Sequence, residues 1–279
     1  MAYSLEELKK QKKSSNLSIQ LSSNISKLSK NIMIRSNDSI DGRINQIVVK
    51  SIDTVAQSMK EQMQIIFIID KSASCSGLEK VTSQEIYNLL QKQKMKFDAS
   101  QLKISIVLFD NNINYVFDNE YINKLKKFSY IADGGRTSIY DAICKTLIKY
   151  KSEDSFKNTI VTIMTDGMDN SSNFYTKEDT KRIIQECKKI GWEFIFLGAN
   201  IDAKQVANSI GINYKNAANY SNTIGGVKAN FEAICEVIDG MHFTGTIKDN
   251  WDKAININNS KQLNNPSAKI LQLSGGHHE

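Results

Sequence analysis

Four stretches of the chain are apolar at nearly every position: "QIIFIID" (64–70), "LKISIVLFD" (102–110), "NTIVTIMTD" (158–166) and "WEFIFLGAN" (192–200). A strand with one wet face alternates apolar and polar residues. Unbroken runs of Ile, Val and Phe predict strands covered on both faces. Between these runs the period lengthens to that of a helix. The spacing predicts helices over Leu78–Met95, Ser138–Tyr150, Lys177–Ile190, Ala203–Ile210 and roughly Gly226–Ile238. Gly191 and Gly211 stand just past the third and fourth, where a helix ends in a left-handed residue. Strands alternating with helices predict an α/β domain, Rossmann-like and doubly wound, with a mostly parallel sheet and helices on both faces. One stretch breaks the rule. In "LFDNNINYVFD" two strand-like pieces flank Asp-Asn-Asn, which predicts a hairpin and one antiparallel edge strand.

The two ends lack this rhythm. Residues 1–60 are rich in Lys, Ser and Asn and read as a partly helical arm. Ser4 with Glu7 forms a capping-box pattern. Ile44, Val48, Ile52, Val55 and Met59 make a narrow apolar stripe, suited to packing on the main domain or on another chain. Residues 241–279 are rich in Asn and Ser, and are expected to form a weakly ordered tail or an arm draped over the domain. The expected organisation is therefore an arm at 1–60, one domain at 61–240 and a tail at 241–279.

Composition narrows the function classes. The 279 residues suffice for one domain with a substantial core plus appendages. No apolar run is long enough to span a membrane, and "MAYSLEELKKQKK" lacks the apolar segment of a secretory signal. Cys75, Cys144, Cys187 and Cys235 lie far apart, as reduced thiols of a cytoplasmic protein would. Apart from the pair in the terminal "GGHHE", the only histidine is His242, which disfavours zinc hydrolases and histidine-based catalysis. The net charge is +6, of which residues 1–60 supply +5 through ten Lys/Arg against five Asp/Glu. The basic character belongs to the arm. Such an arm is either simply solvated or a contact for nucleic acid or anionic lipid.

The candidate chemistry lies at strand ends. In an open parallel sheet, ligands bind beyond the carboxyl ends of the strands. "IIFIID" ends in Asp70, followed by Ser72, Ser74 and Ser76. "MTDGMDN" places Thr165, Asp166 and Gly167 at a second end, and the Gly-Gly loop of "DGGRTSIYDAI" carries Thr137 into a helix. Ser76 is assigned to the start of the following helix. Asp110, Asp133, Asp141 and Asp169 fall near the same rim. Such carboxylates commonly serve turns and N-caps, and they also add negative field around a cation. Lys71 and Arg136 flank the cluster and could steer an acidic partner.

Asp-x-Ser-x-Ser at 70–74, Gly-Gly-x-Thr at 134–137 and Thr-Asp-Gly at 165–167 together resemble the metal-ion-dependent adhesion site (MIDAS) of the von Willebrand factor A (vWA) domain. "FIFLGANIDA" resembles that family's fifth strand and the turn after it. The resemblance spans about residues 62–240. It implies hydroxyl ligands from Ser72, Ser74 and Thr137, with Asp70 and Asp166 acting mainly through ligating waters. The chain departs from the pattern where Ala73 replaces a glycine and Cys75-Ser76-Gly77 follows. The resemblance also gives the last helix, Gly226–Ile238, the part of the element that slides when the site fills.

Mg²⁺ takes oxygen ligands in near-octahedral geometry and retains waters readily. Neutral hydroxyls leave most of its charge free for one more anionic oxygen. The expected function is a non-enzymatic, divalent-metal-dependent adaptor or assembly module of bacterial or phage type. Its Mg²⁺, or Mn²⁺, would accept an Asp or Glu from a partner protein across a rim including Lys71, Arg136 and Asp169. Alternatives are nucleic-acid association through residues 1–40 and a metal-assisted phosphatase or nuclease at the Asp70/Asp166 rim. The second usually needs carboxylates bound directly to the ion. Self-association through residues 41–60 is a further expectation. No GxxxxGK[ST] loop occurs, which excludes a P-loop NTPase.

Overall fold

All eight residues of β1 (Met63–Asp70) are buried, as a central strand requires. The computed structural model describes residues 62–152 and 158–263. The arm, its capping box and apolar stripe, and the terminal "GGHHE" lie outside the described residues. The strands are β1, β2 (Leu102–Phe109), β3 (Ile113–Tyr121), β4 (Asn158–Thr165), β5 (Glu193–Gly198) and β6 (Ala217–Asn219), in the order β3-β2-β1-β4-β5-β6. Every pairing is parallel except β2 with β3, the hairpin across Asp-Asn-Asn. The sheet has the doubly wound order, in which the direction of winding reverses between β1 and β4.

Side chains alternate across the sheet, and each face meets its own helices. Ile65, Phe67 and Ile69 pack with Ile86, Leu89 and Leu90 of α1 (Glu79–Lys94) and Phe231, Ile234 and Ile238 of α5 (Ile224–Thr244). Ile66 and Ile68 face the other way. They meet Ile143 and Leu147 of α2 (Ile139–Ser152), Ile183 and Ile184 of α3 (Lys177–Lys189), and Ala203 and Ala207 of α4 (Ala203–Ser209). Two-sided burial is the physical reason for the unbroken apolar runs. Each fully buried Ile, Leu or Phe contributes about 1.5–3 kcal/mol through removal of apolar surface from water. Gly191 and Gly211 end α3 and α4 at φ 94° and 85°.

Beyond residue 240 the described residues lie against the domain. α5 continues to Thr244, and α6 (Lys253–Leu263) packs back against it. Trp251 and Ile255 are buried in the same core as α1 and α5, although their neighbours are Asn- and Ser-rich. The polar residues bind the end of β6 and the start of α5. Asn259 Nδ2 donates to Asn219 O at 2.8 Å, and Gln262 Nε2 to Thr223 Oγ1 at 2.8 Å. Two apolar anchors in a polar stretch give no periodic signal, so composition left a weakly ordered tail and a draped arm as alternatives. Ser76 differs from expectation. It ends a single 3-10 turn (Ala73–Cys75), and no side chain caps the N-terminus of α1. No helix of the described residues is long and apolar enough to cross a membrane.

Candidate metal centre

Because β1 and β4 are neighbours at the switch point, Asp70 and Asp166 emerge side by side. They are 2% and 4% exposed. Asp70 Oδ1 accepts the Ser72 N–H at 2.8 Å, and Oδ2 accepts the Thr165 hydroxyl at 2.7 Å. Ser74 Oγ donates to Asp166 Oδ1 at 2.7 Å and lies 3.1 Å from Ser72 Oγ. Thr137 Oγ1 is 3.5 Å from Asp70 Oδ2, at the limit of a hydrogen bond. All five residues of the sequence-predicted set thus face one another. Ala73 meets no backbone obstacle, since its φ is not positive.

The Gly-Gly loop reaches this point through a close backbone approach. Gly134 N–H donates to Lys71 O at 3.0 Å. A Cβ on Gly134 would stand 2.5 Å from Asp110 Cβ and 2.7 Å from Lys71 O, which only glycine avoids. Asn111 Oδ1 accepts the Arg136 N–H at 2.6 Å, and Asn170 Oδ1 accepts the Thr137 N–H at 2.9 Å. Thr137 O in turn accepts from Asn170 N–H at 3.0 Å, so the loops after β3 and β4 are pinned together.

Most rim acids act within the chain. Asp141 accepts the N–H groups of Asn173, Phe174 and Tyr175, and Asp169 accepts from Tyr140 N–H and the Ser172 hydroxyl. Asp110 accepts the Asn112 and Gly135 N–H groups. Lys71 Nζ turns to Asp133 at 2.8 Å and stands 3.7 Å from Asp110. Arg136 is exposed, and its guanidinium has no acidic partner among the described residues.

Sequence reasoning gave Asn170, Tyr130 and Cys75 no role at the site, and named Thr165 only within the Thr-Asp-Gly motif. Tyr130 donates to Asp70 O at 2.6 Å from a loop with no motif of its own. Cys75 offers a thiol whose Sγ, with one carboxylate oxygen each from Asp70 and Asp166, forms a group mutually within 4.8 Å. The available signal was its place directly after Ser74, where the chain departs from the family pattern.

Burial pushes the Asp70 carboxyl above its ordinary range; bonds from Thr165 and Ser72 oppose this, and the charge of Asp166 adds to it. Burial also pushes the Cys75 thiol up, reinforced by both carboxylates. No Lys or Arg among the described residues pairs with Asp70 or Asp166. Asp166 Oδ2 is buried without a hydrogen-bond partner among the described residues. Two adjacent buried carboxylates, one with an orphan oxygen, ringed by hydroxyls, fit a divalent cation. His242, on α5, is occupied elsewhere: its ring centroid lies 4.3 Å from that of Phe97, the two rings tilted at 51°.

No family model and no curated protein matches this chain. Solved structures resemble it in fold. The pilus adhesin SpaC from Lactobacillus rhamnosus GG matches with a TM-score of 0.51 at 12% identity, over 63% of this chain and 30% of SpaC. The ArnB paralog VWA2 from Sulfolobus acidocaldarius gives 0.44 at 20%, over 63% of this chain and 45% of VWA2. Proximal thread matrix protein 1 from the mussel byssus, solved with a zinc-occupied MIDAS motif, gives 0.48 at 16%, over 63% of this chain and 47% of that one. The chain spans less than half the length of each of these three. At such identities the likeness concerns the fold: a six-stranded, mostly parallel sheet with one antiparallel strand, the Rossmann-like α/β fold of vWA domains.

Proposed function

We propose that this chain is a divalent-metal-dependent protein-binding module of the adaptor or assembly kind. Ser72, Ser74 and Thr137 would hold a Mg²⁺ or Mn²⁺ ion through their hydroxyls, with Asp70 and Asp166 supplying the compensating charge. The bound ion supplies an electrophilic point that a partner's Asp or Glu carboxylate can complete. The observation that carries this reading is the buried, unpartnered Oδ2 of Asp166 within a ring of hydroxyls at the switch point.

The chain's own residues prepare the rest. Asn111 and Asn170, accepting from the Arg136 and Thr137 N–H groups, hold the Gly-Gly loop so that Thr137 faces Asp70. Ile131 and Met168, 56% and 63% exposed, offer apolar surface on the flanking loops. Arg136 is free to meet an acidic partner. Four free cysteines suit a reducing compartment, and we place the protein in the cytoplasm on that ground.

Two experiments test the reading. Thermal melts with Mg²⁺, Mn²⁺ and EDTA should separate, and the separation should vanish in Asp166→Ala. Identical curves in all three for the wild type would refute metal binding. Affinity capture from the native host, with Mg²⁺ and then EDTA, should show a protein released by the chelator. A partner held equally well in EDTA would remove the metal from the mechanism of capture.

A further inference from the structure

We propose that Cys75 is a direct ligand when this site takes a cation of the zinc class, so that Asp70, Asp166 and Cys75 form a second, softer donor set within the metal centre. The inference rests on the reading of that centre as a metal site and adds which metals it selects. Two independent observations point the same way. One is the thiol itself, whose Sγ lies within 4.8 Å of a carboxylate oxygen from each acid. The other is Asp166 Oδ2, which is buried and lacks a partner.

The distances suit one small ion. Zinc binds sulfur at about 2.3 Å and carboxylate oxygen at about 2.1 Å, so two such ligands on a tetrahedral ion stand about 3.6 Å apart. Closing each sulfur–oxygen pair therefore needs movement of about 1.2 Å at most. Cys75 lies in a single 3-10 turn followed by Ser76 and by Gly77 at φ 90°, outside any regular helix. Rotation of one side chain there disturbs no helical ladder. On binding, the S–H bond is replaced by a sulfur–metal bond and the proton passes to water.

The chemistry separates two metal classes. Hydroxyl oxygens suit Mg²⁺ and Mn²⁺, whereas a thiolate favours Zn²⁺, Cd²⁺ and Co²⁺. Two carboxylates and a thiolate also outweigh a dication in charge. A zinc-class ion bound directly by three anions would have no surplus left to attract a partner's carboxylate, unlike one held by neutral hydroxyls with both carboxylates a water away. Zinc-class metals would therefore close the site that Mg²⁺ opens.

The test uses the full chain, with Co²⁺ as the spectroscopic stand-in for Zn²⁺. Titration should raise a near-ultraviolet thiolate-to-cobalt charge-transfer band, which histidine ligands do not give. Zn²⁺ should displace the band, and Cys75→Ser should abolish it. By competition, Zn²⁺ affinity should fall at least about tenfold in Cys75→Ser, the lower end of what even outer-sphere partners contribute. Mn²⁺ binding, read by electron paramagnetic resonance, should be unchanged in that variant. In the wild type, Zn²⁺ but not Mg²⁺ should slow alkylation of Cys75, followed by peptide mass spectrometry. Bound Co²⁺ without the band, a band that persists in Cys75→Ser, or equal alkylation with and without Zn²⁺ would each overturn the role of Cys75. If Mn²⁺ still binds, the metal centre stands and only the thiol ligand falls. If Mn²⁺ also fails to bind, the metal centre itself is wrong.

Discussion

Replacing Asp166 by Asn should stabilise the metal-free protein and remove its response to metal. The exchange keeps the size of the side chain and retains the oxygen that accepts from Ser74. It removes one of two adjacent buried charges and the orphan Oδ2. An unsatisfied buried polar group costs about 1–3 kcal/mol. The new amide must find its own acceptor, so the lower end, about 1 kcal/mol, is the expected gain. For a domain of this size that raises the melting temperature by about 2–4 °C in EDTA. In Mg²⁺ the order should reverse. Metal at about 100 times its Kd adds about 2.7 kcal/mol to the wild type, or about 5–11 °C. Asp166→Asn should gain little of this. Differential scanning fluorimetry of both proteins in EDTA and in Mg²⁺ gives the four values needed. An Asn variant that melts below wild type in EDTA would mean that the carboxylate is satisfied without metal. Equal gains in Mg²⁺ would mean that the ion binds elsewhere. Either result refutes the reasoning.

Three further outcomes are expected. Gly134→Ala should cost about 1–3 kcal/mol by overpacking in urea melts, and should weaken the Mg²⁺ response, because the added Cβ pushes the loop off Asp110 and Lys71 O; an unchanged protein would show that the loop yields freely. Trp251→Ala should cost about 3–5 kcal/mol and speed hydrogen exchange at 217–223, since the ring is buried and its Nε1 donates to Lys215 O at 2.9 Å; a loss below about 1 kcal/mol would mean that α6 merely rests on the surface. Thr176→Ala should lower stability at neutral pH by removing the capping box of α3. The Thr176 N–H and hydroxyl hold the Asp179 carboxyl below its ordinary value, so that contribution is present above this range and lost as the pH falls through the lowered value. The gap between variant and wild type should therefore narrow in urea melts as the pH falls below the ordinary carboxylate range; a constant gap would dissociate Asp179 from the cap.

The strands and helices were legible because their signal is local. The run from Ile65 to Ile69 reads as a strand buried on both faces, and its eight-residue burial in the sheet has that cause. Gly191 and Gly211 stop their helices through a backbone angle that most residues avoid. α6 was not legible, because Trp251 and Ile255 anchor it by burial in a core assembled from residues far away in sequence. Lys71 shows the same limit. Its charge was plain, but its pairing with Asp133, sixty-two positions on, depends on where a loop returns.

The sequence by itself determined the composition of the site: an acid and two hydroxyls after one buried strand, a hydroxyl after two glycines, an acid after another strand. Those pieces carry their chemistry wherever they fall. Only the tertiary structure decided that β1 lies beside β4, because strand order follows from which face each crossover helix covers, and no single segment encodes that. The same packing brought the Cys75 thiol, read from the sequence only as reduced, to the edge of two carboxylates, and left Asp166 Oδ2 buried with no partner among the described residues.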